Sequence, residues 1–345
     1  MSGKYTNAQI NQTSRTTCRP ISLLCIVSKV LEQIILDKII EFIHPLLSKQ
    51  QFGLLKNRSC LTQLLSSFSY IVSSLDSKAP CDIVYLDFQK AFDTIPHSEL
   101  LFKLWSLGIT GPLWSWFQAY LSNRTHFVSI HDCFSKSLPV RSGVPQGSVL
   151  GPLLFLIYIN DIPGVTNFCN SYLFADDAKL IEAVCRHSFT THLQQDIASV
   201  ESWCSTWKLS LNISKCASLR ISLPSSKSTL PDPVYYINGQ PIASVDKHRD
   251  LGITVQKNLS WSDHIATACT KAYKSLYLIR RTLSNLPSPS SLKLHLYKSL
   301  IRSKLFYCSQ LWRPQLLRDI ICLERVQRRA TKFILTTSLQ IINPD

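Results

Sequence analysis

Three aspartates in this chain have the residue type and the surroundings needed to bind a divalent cation. Asp87 follows the apolar run IVYL, and Asp176 and Asp177 follow the run YLFA. Two carboxylates ~4 Å apart repel by about 1 kcal/mol in water and by roughly 4 kcal/mol at an effective dielectric of 20, so a proton or a cation must neutralise them. Carboxylate oxygens suit Mg²⁺, which keeps coordination positions for substrate phosphates. Two such ions, ~3.5–4 Å apart, would activate an attacking hydroxyl and stabilise a leaving oxygen at phosphorus.

Short strands must position these acids. Cys81–Asp87 is a largely apolar run suited to a buried strand, and residues 171–181 contain two apolar arms around an acidic turn, which predicts a hairpin. A second interpretation stays open, because an Asp-Asp pair in a hairpin turn is more often a solvated turn. The metal site requires the hairpin to lie beside the end of the first strand.

Helical patterns surround the predicted strands. Apolar residues at helical spacing, together with Pro and Gly at the ends of segments, predict helices around residues 27–42, 96–107, 112–120, 193–207, 264–283 and 290–335. A second hairpin is predicted from Thr125–Ile130 and residues 134–140, with His131 and Asp132 at its turn.

The charge of the chain is high and unevenly distributed. The 345 residues, 45% of them hydrophobic, carry a formal net charge of +15, and 17 Lys/Arg against 6 Asp/Glu give residues 246–345 a net +11. The sequence pI is about 9.3. A polyanionic partner that binds the C-terminal part would explain this distribution, whereas a merely soluble basic surface is the simpler alternative.

Cysteine usage and hydropathy indicate a reducing compartment. The 12 cysteines are scattered singly without a CxxC pair, which argues against structural zinc and a disulfide framework. No signal peptide is present, and the most apolar run, residues 149–159, is too short for the ~20 residues of a membrane span. We therefore expect no membrane association and a nuclear or cytoplasmic location.

An ordered series of motifs supplies the context that the acids lack. From residue 19 to about residue 312, the chain resembles the reverse transcriptases of non-LTR (LINE-like) retrotransposons. The resemblance rests on successive blocks: RPISLL at 19–24, QFG at 51–53, LDFQKAFDT at 86–94, GVPQGSVLGPLLFLIYIND at 143–161, FADD at 174–177, LSLNISKC at 209–216 and LGI at 251–253. It continues through LSWSDHI at 259–265 and KAYKSLYLIRR at 271–281. One block alone would be weak evidence, but the whole set in this order is very specific.

The resemblance implies an α+β fold of the right-hand polymerase type. Its palm would be an antiparallel sheet flanked by helices, and its C-terminal thumb would be mostly helical. The corresponding expectation for this chain is a disordered leader at 1–18, partial fingers at 19–80, the palm at 81–221, a linker at 222–233, a palm–thumb connection with a primer-grip-like turn at 234–263, and a basic helical thumb at 264–345.

The resemblance also implies roles for individual residues. Asp87, Asp176 and Asp177, with the backbone carbonyl of Phe88, would bind two Mg²⁺ ions, which Mn²⁺ could replace. Phe92 would pack under the sugar of the incoming deoxynucleotide, where a flat ring leaves no room for a 2′-hydroxyl. The remaining nucleotide and primer–template residues would be Arg19, Pro145, Gln146, Gly147, Lys215, Leu251, Gly252, Arg325, Arg328, Arg329 and Lys332. Each has an ordinary alternative, such as a core ring, a plain turn or a solvated cation.

The function implied is RNA-directed DNA synthesis. A primer 3′-hydroxyl would attack the α-phosphate of a dNTP on an RNA template, and the primer would be target DNA. Phe174 and Ala175 stand where Tyr-Ala is commoner, a change between rings of similar shape. With a short leader and no endonuclease block, we expect the chain to be part of a longer coding sequence. The alternatives are RNA-dependent RNA synthesis, which Phe92 opposes, and a truncated, catalytically inactive nucleic-acid-binding remnant.

Overall fold

The computed structural model describes residues 2–6, 22–130, 133–184, 191–222, 233–284, 286 and 288–336. The strands, in chain order, are β1 Ser2–Thr6, β2 Ser22–Leu23, β3 Cys81–Asp87, β4 Thr125–Ile130, β5 Cys133–Phe134, β6 Leu138–Pro139, β7 Asn170–Phe174, β8 Asp177–Ala183, β9 Ala217–Ile221, β10 Tyr236–Ile237, β11 Gln240–Pro241, β12 Ala243–Ser244, β13 Lys247–Asp250 and β14 Ile253–Gln256. The α-helices are α1 Ile26–Ile43, α2 Cys60–Asp76, α3 Ala91–Thr94, α4 His97–Ser106, α5 Gly111–Leu121, α6 Gly151–Ile159, α7 Ile162–Val165, α8 Thr191–Thr206, α9 Ser262–Thr282, α10 Ser290–Leu296, α11 Ser303–Phe306 and α12 Leu317–Leu335.

The described residues fall into two compact units. The first comprises residues within 1–63, 81–218 and 231–244, and the second comprises residues within 64–80, 219–230 and 245–345. The predicted strand that ends in the first aspartate (β3) and the predicted acidic hairpin (β7 and β8) are confirmed and lie in the first unit.

A five-stranded sheet in the order β12-β9-β3-β8-β7 positions the acids. Strand β8 is antiparallel to β3 on one side and to β7 on the other. The expectation of a wholly antiparallel sheet is wrong at the other edge, where β12 pairs with β9 in parallel. Parallel neighbours need a long connection, and the 21 residues between Ile221 and Ala243 provide one. The sheet is therefore mixed.

The core of the first unit is built around α6. Every residue from Leu153 to Ile159 is buried, which explains the most apolar run in the sequence as a helix enclosed on all sides. Helices α4, α5 and α8, all three predicted from the sequence, contribute Leu100, Phe117 and Ile197 to the same core.

Helix α1 was predicted correctly as a helix, but its apolar residues do not mark its buried side. Val27 is 78% exposed and Ile34 is 56% exposed, whereas Glu32 is only 1% exposed. The buried side also carries Ile39 and Ile43.

The N-terminal leader is not wholly without structure. Residues Ser2–Thr6 form β1, which runs parallel to β4 and antiparallel to β2. The expectation of disorder is therefore wrong for these five residues, because main-chain hydrogen bonds to an edge strand require no apolar pattern. Residues 7–21 lie outside the described residues. The second predicted hairpin is present as β4 with two short partners, β5 and β6, and its predicted turn residues, His131 and Asp132, also lie outside the described part.

The second unit combines helices with the β13–β14 hairpin. The helix predicted over 290–335 is wrong as a single element: α10 continues into a π-helix, Tyr297–Arg302, and α11, and then the chain leaves helical geometry until α12. Cys308 has a φ of +51°, which an α-helix does not permit, and Pro314 follows. Of the linker expected at 222–233, only the two end residues are described, and the amide of Ser222 donates to the Lys257 carbonyl.

The helices considered next are those of the residues that the structure describes. None of the helices formed by them has the length and apolar character that crossing a bilayer requires. The cysteines among these residues are free thiols.

Candidate active site

The register of β3 and β8 places two of the acids side by side. The two strands pair from Cys81 opposite Ala183 to Asp87 opposite Asp177, so the acids form the last matched pair of the ladder. Residues directly opposite each other in an antiparallel pair project to the same face of the sheet. Asp87 and Asp177 therefore present their carboxylates on one face, at the end of a buried strand.

The main chain of Asp87 shows which type of pair this is. Its N–H donates to the Cys216 Sγ at 3.4 Å, and its carbonyl accepts from the Asn212 N–H at 2.7 Å. Both groups thus point away from β8, which makes Asp87 and Asp177 a non-hydrogen-bonded pair. In such pairs the Cα atoms are only ~4.5 Å apart and the side chains approach most closely.

The third acid lies in the turn between β7 and β8. Phe174 pairs with Asp177, which leaves Ala175 and Asp176 as a two-residue turn. Ala175 has a φ of +52°, a left-handed conformation that an alanine adopts at some cost. Asp176 is half-buried and Asp177 is exposed. The hairpin and strand end therefore bring all three predicted acids to one edge of the sheet.

The oxygen atoms where β3 and β8 end are of the type that binds a divalent cation. The Oδ2 of Asp87 is buried and accepts no hydrogen bond from the described residues, and the nearest cation is the 64%-exposed Lys215, whose Nζ lies 3.5 Å away. Phe88 and Leu211 form an antiparallel β-bridge. The two hydrogen bonds of this bridge are made by the residues on either side of Phe88 and Leu211, so the Phe88 carbonyl is not used in it. All these donors are oxygens, as Mg²⁺ prefers. Among the residues that the structure describes, no three acidic, His or Cys side chains lie together as a metal-binding group.

Phe92 lies on the short helix α3 and packs on the core helix α6. Its ring stacks on Phe155 with a centroid distance of 4.2 Å and an interplanar angle of 17°. The ring is half-buried, so one part of it remains open. The Phe92 carbonyl accepts from the Val144 N–H at 2.8 Å, which ties this helix to the loop that carries Pro145, Gln146 and Gly147.

Gly143 allows these two segments to approach each other. It has a φ of +86°, and a Cβ at this position would lie 2.7 Å from the Asp93 carbonyl oxygen and 2.8 Å from the Phe92 carbonyl oxygen. The Gly143 N–H donates to the Ile95 carbonyl at 2.7 Å. Since both neighbours are backbone atoms, only glycine fits without a shift of the main chain.

The side chain of Gln146 is held by a carboxylate. Its Nε2 donates to the Asp93 Oδ1 at 2.7 Å, and the preceding Pro145 is buried. Gly147 has a φ of +96° and is exposed. The predicted Pro-Gln-Gly turn is thus present, and Asp93 orients its central side chain.

The buried carboxylate of Glu32 accepts hydrogen bonds from the main chain at the start of α6. Its Oε2 accepts from the N–H groups of Val149 at 2.8 Å and of Leu150 at 3.3 Å, and its Oε1 accepts from the Tyr120 hydroxyl at 3.0 Å. Burial raises the pKa of Tyr120, so this hydroxyl remains a donor. A carboxylate at a helix N-terminus also interacts favourably with the helix dipole.

A second buried charge supports the other end of α6. The Lys103 Nζ donates to the Tyr158 carbonyl and to Asp161 at 2.7 Å, and it lies 3.8 Å from the centroid of the Trp207 ring. Burial lowers the pKa of Lys103 to about 8, although the Asp161 carboxylate acts to raise it.

The predicted primer-grip-like turn and thumb residues belong to the second unit. Leu251 and Gly252 join β13 to β14 with φ values of +43° and +88°, and the Tyr307 hydroxyl donates to the Leu251 carbonyl at 2.8 Å. On α12, Val326 and Ala330 are buried, and four basic residues are exposed. We call these four the basic stripe: Arg325, Arg328, Arg329 and Lys332.

The sequence indicated the acids but not the residues that support the segments of the site. Gln51, Glu32 and Asp93 make contacts to the site segments across 53 to 124 positions of the chain. Gln51 and Asp93 stand inside the motif blocks, which is the signal that could have indicated them, whereas nothing in the pattern of α1 indicates a buried Glu32. Arg19, expected at the triphosphate, lies outside the described residues.

Similarities to known proteins identify the family of the chain. Residues 10–255 match the family model of the reverse transcriptases (RNA-dependent DNA polymerases). The chain is 30% identical over 331 residues to the probable RNA-directed DNA polymerase from transposon X-element of Drosophila melanogaster, covering 92% of this chain and 35% of that protein. It is 29% identical over 324 residues to the RNA-directed DNA polymerase from mobile element jockey of the same fly, covering 88% and 34%.

The chain thus spans about a third of the length of these curated relatives. Among solved structures, apo telomerase from Candida tropicalis is similar with a TM-score of 0.50 at 10% identity, over 91% of this chain and 59% of that chain, which supports the fold alone. The chain therefore belongs to the reverse transcriptase family, of the kind that non-LTR retrotransposons encode.

Proposed function

We propose that this chain catalyses RNA-templated DNA synthesis at the edge of the sheet where β3 and β8 end. The observation that carries the proposal is the direct pairing of Asp87 with Asp177, with Asp176 in the adjoining turn. In this proposal residues 19–80 belong to the fingers, 81–221 to the palm and 264–345 to the thumb.

The acids would hold the divalent cations against the nucleotide. Asp87, Asp176 and Asp177 would bind them, and the Phe88 carbonyl would add a backbone oxygen. When bound, two Mg²⁺ ions supply the charge that activates the primer 3′-hydroxyl and stabilises the leaving oxygen. Lys215, now paired with Asp87 at 3.5 Å, is free to turn toward the departing pyrophosphate because 64% of its side chain is exposed.

The nucleotide would lie between Phe92 on α3 and the Pro-Gln-Gly turn. Stacking on Phe155 holds the Phe92 ring in place, so the ring cannot move aside for a 2′-hydroxyl. Gln146, oriented by Asp93, and the exposed Gly147 offer polar groups and close backbone approach to the base pair.

The second unit would bind the primer–template duplex. The basic stripe on α12 places four cations on an exposed helix face, where phosphate contacts release counterions. The left-handed Leu251-Gly252 turn presents backbone groups, and the Tyr307 hydroxyl holds one of its carbonyls. We assign the RNA template and the DNA primer to this surface.

The test is incorporation of labelled dNTP on a primed RNA template with Mg²⁺. Asp176→Asn and Asp87→Asn should each lose several kcal/mol of transition-state stabilisation, about 10³-fold in rate. Asp37→Asn is the matched control, because this exposed aspartate on α1 accepts only a local hydrogen bond from Gln33. Equal incorporation by the wild-type protein and Asp176→Asn would exclude the assigned site.

One observation favours a second candidate, a nucleic-acid-binding protein without catalysis. The described acids form no metal-binding group of three side chains, whereas the four cations of the basic stripe are exposed, although Arg328 pairs with Glu324. Salt-sensitive RNA binding with no incorporation in Mg²⁺ or Mn²⁺ would support this candidate. Incorporation of NTP in preference to dNTP would instead indicate RNA synthesis and would contradict the role of Phe92.

A further inference from the structure

The loop that carries Gln51 is attached directly to the acidic hairpin. Gln51 forms a parallel bridge with Leu173, the Phe52 N–H donates to the Leu173 carbonyl at 2.8 Å, and the Leu173 N–H donates to the Gln50 carbonyl at 2.9 Å. The loop thus adds a short strand to the free edge of β7. Its backbone stays beside the turn that carries Asp176.

The side chain of Gln51 reaches the turn itself. It is 1% exposed, and its Oε1 accepts from the Gly53 N–H at 2.7 Å and from the Ala175 N–H at 3.0 Å. Two backbone donors fix the orientation of the amide, because the reverse orientation would oppose donor to donor. Gln51 therefore binds the main chain of the residue that precedes Asp176.

Gly53 makes this approach possible. A Cβ at this position would lie 2.3 Å from the Ala175 nitrogen and 2.9 Å from the Phe174 carbonyl carbon, both backbone atoms. Any side chain at residue 53 would therefore displace the turn or the loop.

Arg58 fixes the loop from its other side. Its guanidinium donates to the carbonyls of Ser48 at 3.1 Å and Lys49 at 2.9 Å, and also to the Gln51 carbonyl. The guanidinium also lies 5.6 Å from the centroid of the Phe52 ring. These contacts stabilise the conformation in which the loop packs against the hairpin.

We infer that Gln51 is a positioning residue for the catalytic turn: it holds Ala175 in its left-handed conformation and thereby sets the direction of the Asp176 carboxylate. The inference rests on the proposed function for its catalytic meaning. Its structural content stands separately, because an unsupported left-handed alanine is disfavoured and the turn would populate other conformations. Groups that orient metal ligands from outside typically change metal affinity or activity by about 10–100-fold when removed.

Two variants separate the acceptor from the shape of the side chain. Gln51→Met keeps the length and removes the acceptor, and Gln51→Glu keeps an oxygen acceptor. Asn160→Leu is the matched control, because the Asn160 amide also ties this loop to the core, accepting from the Ser48 N–H at 2.7 Å and donating to the Leu46 carbonyl, without touching the turn.

Three measurements on the full chain are compared: hydrogen exchange of the peptide spanning 173–178, Mn²⁺ affinity by electron paramagnetic resonance, and dNTP incorporation. For Gln51→Met we expect about tenfold faster exchange of the turn, about 10–100-fold weaker Mn²⁺ binding, and a fall in kcat with little change in the KM for dNTP. Gln51→Glu should keep the slow exchange, and Asn160→Leu should leave all three unchanged.

The outcomes distinguish the two proposals. Wild-type exchange of the turn in Gln51→Met, or equal effects of Gln51→Met and Asn160→Leu on exchange and Mn²⁺ binding, would overturn the inference. A wild-type protein that incorporates no nucleotide, while Gln51→Met still loosens the turn and weakens Mn²⁺ binding, would refute the proposed function and leave the positioning role in place.

Discussion

Removing the carboxylate of Glu32 should strongly destabilise the first unit. In the folded chain this carboxylate accepts two backbone N–H groups at the start of α6 and the hydroxyl of Tyr120. Glu32→Ala would remove the acceptor of one buried donor, the Leu150 N–H, and of two partly buried donors, and it would also remove the charge at the helix N-terminus. The same change is expected to loosen the Pro-Gln-Gly turn, which is separated from α6 by three residues.

The magnitude follows from these contacts. A hydrogen bond to a charged group contributes about 1.5–3 kcal/mol, and an orphaned buried donor costs about 1–3 kcal/mol. The Val149 bond, at 2.8 Å, counts fully, whereas the Leu150 bond, at 3.3 Å, is weaker. We therefore expect Glu32→Ala to lower the free energy of unfolding by about 3–5 kcal/mol. Glu32→Gln, which keeps one carbonyl acceptor, should cost about 1–2 kcal/mol.

Urea unfolding followed by circular dichroism measures these differences. Glu41→Ala is the control, since Glu41 lies on the same helix and is exposed, and it should change stability by less than about 0.5 kcal/mol. Tyr120→Phe isolates the hydroxyl bond and should cost about 1 kcal/mol. The reasoning would be refuted if Glu32→Ala and Glu41→Ala unfolded at the same urea concentration.

Four further predictions follow from the site and its supports. The pKa of Lys103 in the folded chain, about 8, lies below its ordinary value of 10.5, so between these two pH values the unfolded state binds more protons than the folded state. The free energy of unfolding should therefore rise with pH in this range, by at most about 1.4 kcal/mol per pH unit. In urea titrations the difference in unfolding free energy between the wild-type protein and Lys103→Met should grow accordingly. Gly143→Ala should cost more than about 2 kcal/mol, while Gly164→Ala, whose Cβ would meet open space, should cost less than about 1 kcal/mol. Phe92→Ala should raise incorporation of NTP relative to dNTP by about 10–200-fold in competition assays, and an unchanged ratio would argue against the ring as the sugar gate. Replacing the basic stripe with alanines should reduce the slope of log K against log salt for duplex binding by about 3, measured by fluorescence anisotropy.

The sequence was sufficient for the elements that carry local signals. The apolar run ending at Asp87 predicted β3, and the two arms around Asp176 predicted the hairpin, because burial and turn chemistry leave a pattern within a few residues. The ordered motif blocks predicted the family, which the family match and the similar transposon polymerases confirm.

Other features depended on contacts that no local pattern contains. Glu32 is separated from the amides whose hydrogen bonds it accepts by 117 and 118 residues, and it is buried on the side of α1 that carries Ile39 and Ile43. The parallel pairing of β12 depends on the path of a long connection, and the break after α11 depends on one left-handed residue, Cys308. Each of these three features depends on tertiary contacts.

The ladder between β3 and β8 has a consequence for how such a chain can diverge. Sliding β3 by one position would turn all its side chains to the opposite face. Because residues 81–86 are buried on both faces of the sheet, Leu86 would lose its present packing and Asp82 would lose the hydrogen bond from the Tyr235 hydroxyl. The cost of that slip protects the alignment of the two acids, although neither acid contributes to it. Loops around the site can therefore change their sequence and length, and with them the nucleic acid that is bound, while the spacing of the carboxylates is preserved.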